Sequence, residues 1–317
     1  MSNVLLVGLP RSGTTWAGRM LGAAEGVTYV EEPDYVDADP DQPARHGFGP
    51  YPVLRPGAAS ARYRALWEVA FAGAMPTGGP LKTAGKIFMK LPGGVRDPLM
   101  KVVAPAMAKT RPKARTVVKS IHSLPALEWI DEAFDPAIVV IQRDPLNVVS
   151  SWLELDFPLY DLWNRADIRA AYVEPLGLPA PGANPLARTA WSVGVLAAIL
   201  GAQVARRPAW TRLTHEALCV DPEPQYRRLF EDLGLEYGSG AEEFLARSNR
   251  PGTGYSSDRI TSEQPHRWKG RLTPEQVAET RLILAGFPNQ GWAWAVDSNS
   301  GAPATAAPTR PELSAGG

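Results

Sequence analysis

Cysteine is almost absent from this sequence. A single one, Cys219, stands among 317 residues, which excludes a disulfide framework and any metal site built from several thiolates, and points to a reducing compartment. An excess charge of one sign is lacking too. Lysine plus arginine equals aspartate plus glutamate at 33 each, so no global field draws the chain to nucleic acid or an anionic membrane, and any anion site has to be local. Also missing is an apolar run long enough to span a bilayer. The most lipid-like stretch, WSVGVLAAILGAQV from Trp191 to Val204, falls short of the ~20 residues a crossing needs and has Arg188 and Arg206 close by. A buried helix is expected there, with no integral membrane span. Strand-like residues begin at Val4, leaving no room for the charged and apolar regions of a signal peptide. The expected location is the cytoplasm.

What is present is a core and a rhythm. Hydrophobic residues make up 44% of the chain, enough for a large globular domain. Three continuous apolar runs, VLLVGL at 4–9, TVVKSI at 116–121 and AIVVIQR at 137–143, lack alternation and read as strands buried on both faces of a parallel sheet. Helix-like stretches follow each, at 14–24, 124–133 and 145–155. This order predicts an α/β fold, a three-layer, mostly parallel sheet flanked by helices, with ligands at the carboxyl ends of the strands. WTRLTHEAL at 210–218 is a candidate fourth strand, and PEPQYRRLFEDLGL at 222–235 an amphipathic helix ending near Gly234. One domain is expected over 1–296, with inserts at about 37–115 and 156–187 and a disordered tail at 297–317.

The first strand runs into LPRSGTTW. Gly8 and Gly13 bracket a tight loop that opens a helix, where consecutive backbone N–H groups and the helix dipole favour an anion. Arg11 and the hydroxyls of Ser12, Thr14 and Thr15 add donors. A nucleoside-triphosphate kinase would read GxxxxGK[ST], its lysine on the terminal phosphates and its hydroxyl on magnesium. Here Thr14 stands in the lysine position, which suits a nucleotide with fewer charges at its 5′ end and no required metal.

PRSGTTW, from Pro10 to Trp16, closely resembles the 5′-phosphosulfate loop of sulfotransferases that use 3′-phosphoadenylyl sulfate (PAPS), whose nucleotide-binding topology is that of the P-loop kinases. A second motif strengthens the resemblance. RDPLNVVSSW places Arg143 at a strand end and Ser151 eight residues on, and in that family such an arginine and serine clamp the nucleotide's 3′-phosphate. A guanidinium fork beside a hydroxyl also suits a phosphate monoester on chemical grounds. The resemblance implies PAPS as donor, adenosine 3′,5′-bisphosphate (PAP) as product, no metal, and Arg11, Ser12, Gly13, Thr14, Thr15 and Trp16 around the 5′ end.

Sulfuryl transfer to an alcohol needs a base, and two candidates compete. Glu32, in TYVEEPDYV, lies 21 residues beyond Arg11, where tyrosylprotein sulfotransferases have a catalytic glutamate in a Glu-Glu pair and carbohydrate sulfotransferases a Glu-Pro. His122, in VVKSIHSLP, is similar to the catalytic histidine of cytosolic sulfotransferases but follows its lysine by three residues instead of two, a shift that on a strand reverses the side chain. Glu32 ranks ahead of His122. Lys119 matches the strand-end lysine under either scheme and, with Arg11, would neutralise charge on the sulfonate and leaving phosphate. Further on, Ser256 resembles the family's sulfonate-stabilising serine. Arg267, Lys269 and Arg271 either cover the 3′-phosphate or form a solvated basic loop. Cys219 reads as a small buried hydrophobe. The expected activity is transfer to a hydroxyl of a small-molecule, glycolipid or carbohydrate acceptor, with aromatic residues of the inserts forming part of the acceptor wall. An ATP-dependent kinase-like phosphotransferase and a non-catalytic nucleotide-binding protein stand as alternatives.

Overall fold

A computed structural model describes residues 2–34, 48–74, 115–251 and 260–288. Five parallel strands form one sheet in the order β2-β3-β1-β4-β5: β1 Val4–Gly8, β2 Val27–Glu31, β3 Arg115–Ser120, β4 Ala137–Gln142 and β5 Thr211–Thr214. β1 lies at the centre, its Val4 level with Val117 of β3 on one side and Ala137 of β4 on the other. The chain thus turns outward in opposite directions at β1, which puts a crevice at its carboxyl end.

Side-chain alternation along the strands fills both faces. Leu5, Val7, Val118, Ile138 and Val140 point into one cluster with helices α2 (Ala61–Phe71), α3 (Leu127–Phe134), α4 (Pro145–Glu154) and α5 (Pro185–Arg206). Val4, Leu6, Val117, Val139 and Ile141 point the other way, against α1 (Thr14–Gly22), α6 (His215–Val220), α7 (Pro222–Asp232) and α8 (Ser239–Ser248). This produces the expected three layers. The last described helix, α9 (Pro274–Leu284), starts at a capping box in which Thr273 Oγ1 accepts from Gln276 N–H at 3.3 Å and Thr273 N–H donates to the Gln276 side chain at 2.9 Å.

Two elements differ from the pattern read in the sequence. β2 is an additional strand, and its partly exposed positions at Thr28, Tyr29 and Glu31 show why the apolar run was too broken to stand out. The candidate strand at 210–218 is a strand only over Thr211–Thr214. There Thr214 Oγ1 accepts from Ala217 N–H at 3.2 Å and caps α6, which takes up the remainder. The apolar run at 191–204 sits within α5, which begins earlier, at Pro185, because the Asn184 side chain accepts from Ala187 N–H at 2.7 Å. By length and composition α5 suffices to cross a membrane, yet 89% of its most apolar stretch is buried inside the protein. It is a core helix. Of the first insert only 48–74 is described, and Tyr51, Tyr63, Trp67 and Phe71 there join the main core instead of forming a separate one. Ser256 and the 297–317 tail lie outside the described residues.

Candidate active site

β1 ends at Gly8, and the next residues wrap around an open cavity of about 330 Å³ lined by Arg11, Gly13, Thr14, Thr15, Glu32 and Lys119, among others. Backbone conformation explains the loop. Arg11 (φ 70°) and Gly13 (φ 92°) are both left-handed, uncommon for a non-glycine residue and consistent with a functional turn. A Cβ at Gly13 would overlap the His215 ring, so glycine there is required by space as well as by φ. α1 starts at Thr14, and its first-turn N–H groups have no acceptor within the helix. Ser12 is fully buried under the loop, its Oγ without a hydrogen-bond partner among the described residues. Trp16 packs inward, its Nε1–H donating to Ser248 Oγ at 2.9 Å.

On one side of this loop stands the end of β3. Lys119, 4% exposed, donates to Thr15 Oγ1 at 3.0 Å and is ion-paired with Glu32. Glu31 also approaches the ammonium, at 3.6 Å. Adjacent carboxylates on an extended strand would diverge; these converge because β2 ends at Glu31 and Glu32 turns left-handed, φ 52°. Backbone bonds lock the arrangement, with Glu32 N–H donating to Lys119 O at 2.8 Å and Ile121 N–H to Glu32 Oε2 at 3.0 Å. Burial raises the pKa of Glu32 above the ordinary carboxylate value, opposed by Lys119 and the Ile121 N–H.

On the other side stands the end of β4. Arg143 donates from Nη1 to Arg11 O at 2.7 Å, and Arg11 Nε donates to Ser151 Oγ at 3.2 Å. Arg143, Ser151 and Arg11, 140 residues apart at the extreme, therefore meet at the loop. Burial lowers the Arg143 pKa to about 10, and its Nε has no hydrogen-bond partner among the described residues. A buried guanidinium with spare donors is matched to an anion. The segment Thr261–Gly270 passes over this end, bringing Gln264, Arg267 and then Arg271 to the cavity wall, where Arg271 is ion-paired with Glu154.

Not every predicted residue arrives here. His122 is fully buried away from the cavity lining, its ring 5.1 Å from that of Tyr51 and 5.4 Å from that of Tyr160. Lys269 is exposed and lines a separate shallow depression with Trp268. Conversely, His215 and Cys219 of α6 line the cavity. Burial, then the Arg143 charge, depresses the His215 pKa strongly, and burial pushes the Cys219 thiol up to about 12, so both are neutral. His215 falls within the 210–218 run, whose strand-like pattern does not mark it as a site residue, while Cys219 is the small buried residue expected. The THEAL pattern, a threonine cap ahead of a helix former, was the available signal. Among the described residues no group of three or more His, Cys, Asp or Glu side chains is arranged to hold a metal.

The donor set suits a molecule with anions at two ends, with main-chain N–H groups and Lys119 on one side of the cavity and Arg143 with Ser151 on the other. Residues 3–239 match the model of the sulfotransferase family. Among solved structures, the sulfotransferase domain from the curacin biosynthetic pathway superposes with a TM-score of 0.50 at 14% identity, covering 90% of this chain and 96% of that one, a likeness of fold. The corresponding domain of the Synechococcus PCC 7002 olefin synthase gives 0.44 at 14% identity, covering 90% and 95%. A mouse sulfotransferase complexed with PAP gives 0.45 at 11% identity, covering 89% and 82%. No curated protein matches the sequence.

Proposed function

The chain belongs to the sulfotransferase family, and from that premise we propose that it transfers a sulfuryl group from PAPS to an acceptor hydroxyl, with Glu32 as the base. One observation carries this reading: the Lys119 ammonium joins Glu32 to Thr15 of the phosphate loop inside a single cavity. PAPS, when bound, supplies the sulfuryl group and departs as PAP. Glu32 accepts the proton of the attacking hydroxyl, its affinity for that proton raised by burial. Lys119 has two anions within reach, the base and whatever the loop holds, so turning toward the latter removes the partner that most weakens Glu32 as a base. Lys119 and Arg143 stand at the carboxyl-terminal side of the two strands flanking β1 and both line the cavity, so one elongated molecule with an anion at each end can meet both. Arg11, Thr14 and Thr15 would hold its 5′ end, and Arg143, Ser151, Arg267 and Arg271 its 3′-phosphate. His122, placed off the cavity, does not serve as base in this scheme.

A hydroxyl-bearing small molecule, glycolipid or carbohydrate remains the proposed acceptor class. A reducing, cytoplasmic setting suits a chain whose single cysteine is a buried free thiol. Calorimetry with PAP, 5′-AMP and ATP, first without and then with magnesium, tests the donor assignment. PAP is expected to bind at least about tenfold more tightly than 5′-AMP, the weight of one charge-assisted hydrogen bond. Equal affinity for the two, or a preference for ATP that requires magnesium, would remove the assignment.

A further inference from the structure

Behind the base lies a second carboxylate that the reaction as described leaves unused. Asp34 is 4% exposed and does not line the cavity. Ser120 Oγ–H donates to it, with 2.8 Å to one carboxylate oxygen and 2.9 Å to the other. The same Ser120 oxygen accepts from the N–H of His122 at 3.2 Å and of Ser123 at 3.0 Å. A hydroxyl has one proton and two lone pairs, so the Ser120 proton is committed to Asp34 and both lone pairs to the turn that leaves β3. That turn contains Ile121, whose N–H donates to Glu32 Oε2, and it follows directly on Lys119, the ion-pair partner of Glu32.

Holding an acid in this position is costly. Burial, and next the charge of Glu32, lifts the Asp34 pKa to about 7, with Ser120 and then Lys119 opposing. Tyr51 and Tyr63 also feel its charge, and the Tyr51 hydroxyl has no hydrogen-bond partner among the described residues. Asp34 thus fixes the Ser120 hydroxyl, whose oxygen in turn holds the turn N–H groups. We propose that Asp34 is a positioning residue for the base: by gripping Ser120 Oγ it sets the turn that aims the Ile121 N–H at Glu32 and keeps that carboxylate facing the cavity. The proposal rests on the reading of Glu32 as base, which the PAP and Glu32 experiments test separately.

The test reads Glu32 directly and needs neither donor nor acceptor. Glutamate side-chain carboxyls are labelled with ¹³C, the Glu32 resonance is assigned by its loss in Glu32→Gln, and its titration is followed in the full chain. The groups facing Glu32 are Lys119, Glu31, Asp34, Tyr29 and Tyr51. Ser120→Ala leaves all of them in place. It is expected to move the Glu32 titration upward by about one pH unit, the effect of losing one hydrogen bond to a charged carboxylate. Asp34→Ala and Asp34→Asn both remove the Asp34 charge, but only the amide retains an acceptor for Ser120. Glu32 is therefore expected to titrate higher in Asp34→Ala than in Asp34→Asn. Identical titrations in those two variants, or no change in Ser120→Ala, would overturn the proposal and reduce Asp34 to a neighbouring charge. Circular dichroism confirms that each variant is folded; should Asp34→Ala unfold, the comparison of Ser120→Ala with the parent protein decides.

Discussion

Glu32 is the residue on which the proposed chemistry turns, and its surroundings make opposing demands on it. Burial favours the protonated form, while Lys119 and the Ile121 N–H favour the carboxylate. A base must be ionised to act, so the transfer rate is expected to rise with pH and level off, its midpoint lying above the ordinary glutamate value because the folded-state pKa is raised. Glu32→Gln should lower the rate by roughly 10²–10⁴-fold, the usual weight of a general base, and abolish the limb, with PAP affinity within about twofold. A rate profile unchanged by the substitution would shift attention to another base. Arg143 gives a prediction of a different kind. Arg143→Ala should weaken PAP at least about tenfold more than 5′-AMP, measured by calorimetry, if the guanidinium serves the 3′ end as proposed. Loss of both affinities in equal proportion would mean that its bond to Arg11 O, which shapes the loop, is its main contribution.

At the scale of elements, α5 is the beam on which the site rests. From Leu186 to Val204 all but one of its side chains are buried; Arg188 alone is not, and it packs against both α4, which carries Ser151, and α9. Leu196 is fully buried in this packing. Leu196→Ala should cost about 2–5 kcal/mol through lost transfer energy and the cavity left behind, measured by denaturant unfolding. A cost under 1 kcal/mol would show that the helix can collapse around the gap. The strands teach a second lesson at this scale. β1, β3 and β4 were legible because burial on both faces leaves unbroken apolar runs, whereas β2, half-exposed, and β5, four residues long before a capped helix, lack that signature.

Across the whole molecule, a balanced net charge coexists with a cavity whose walls carry Arg11, Arg19, Lys119, Arg143, Arg267 and Arg271 against Glu31 and Glu32. The proposed anion binding is therefore local, and it is expected to fall off with added salt only as far as the cavity is open to solvent. In the proposed reading the backbone N–H groups, hydroxyls and cations of the cavity themselves offset the phosphate charge. Transfer should proceed unchanged in excess EDTA, with PAP release from PAPS as the readout. A loss restored by magnesium would favour phosphotransferase chemistry on the same loop.

Local order determined much of this protein from sequence alone. The strand, the Gly8 and Gly13 bracket, the absent lysine and the Arg143 to Ser151 spacing are all short-range features, and short-range features specify a loop, a helix start and a strand end. Which side chains then meet is a long-range matter. That Glu31 and Glu32 converge on Lys119 depends on a left-handed residue at the end of an unforeseen strand. That His122 turns into a ring cluster while His215 reaches the cavity depends on where β3 and β5 stop. That Asp34 grips Ser120 depends on β2 and β3 pairing in register, with Glu31 opposite Lys119. Pairing and packing across the chain decided these, because a residue's neighbours in the fold are set by the sheet as a whole.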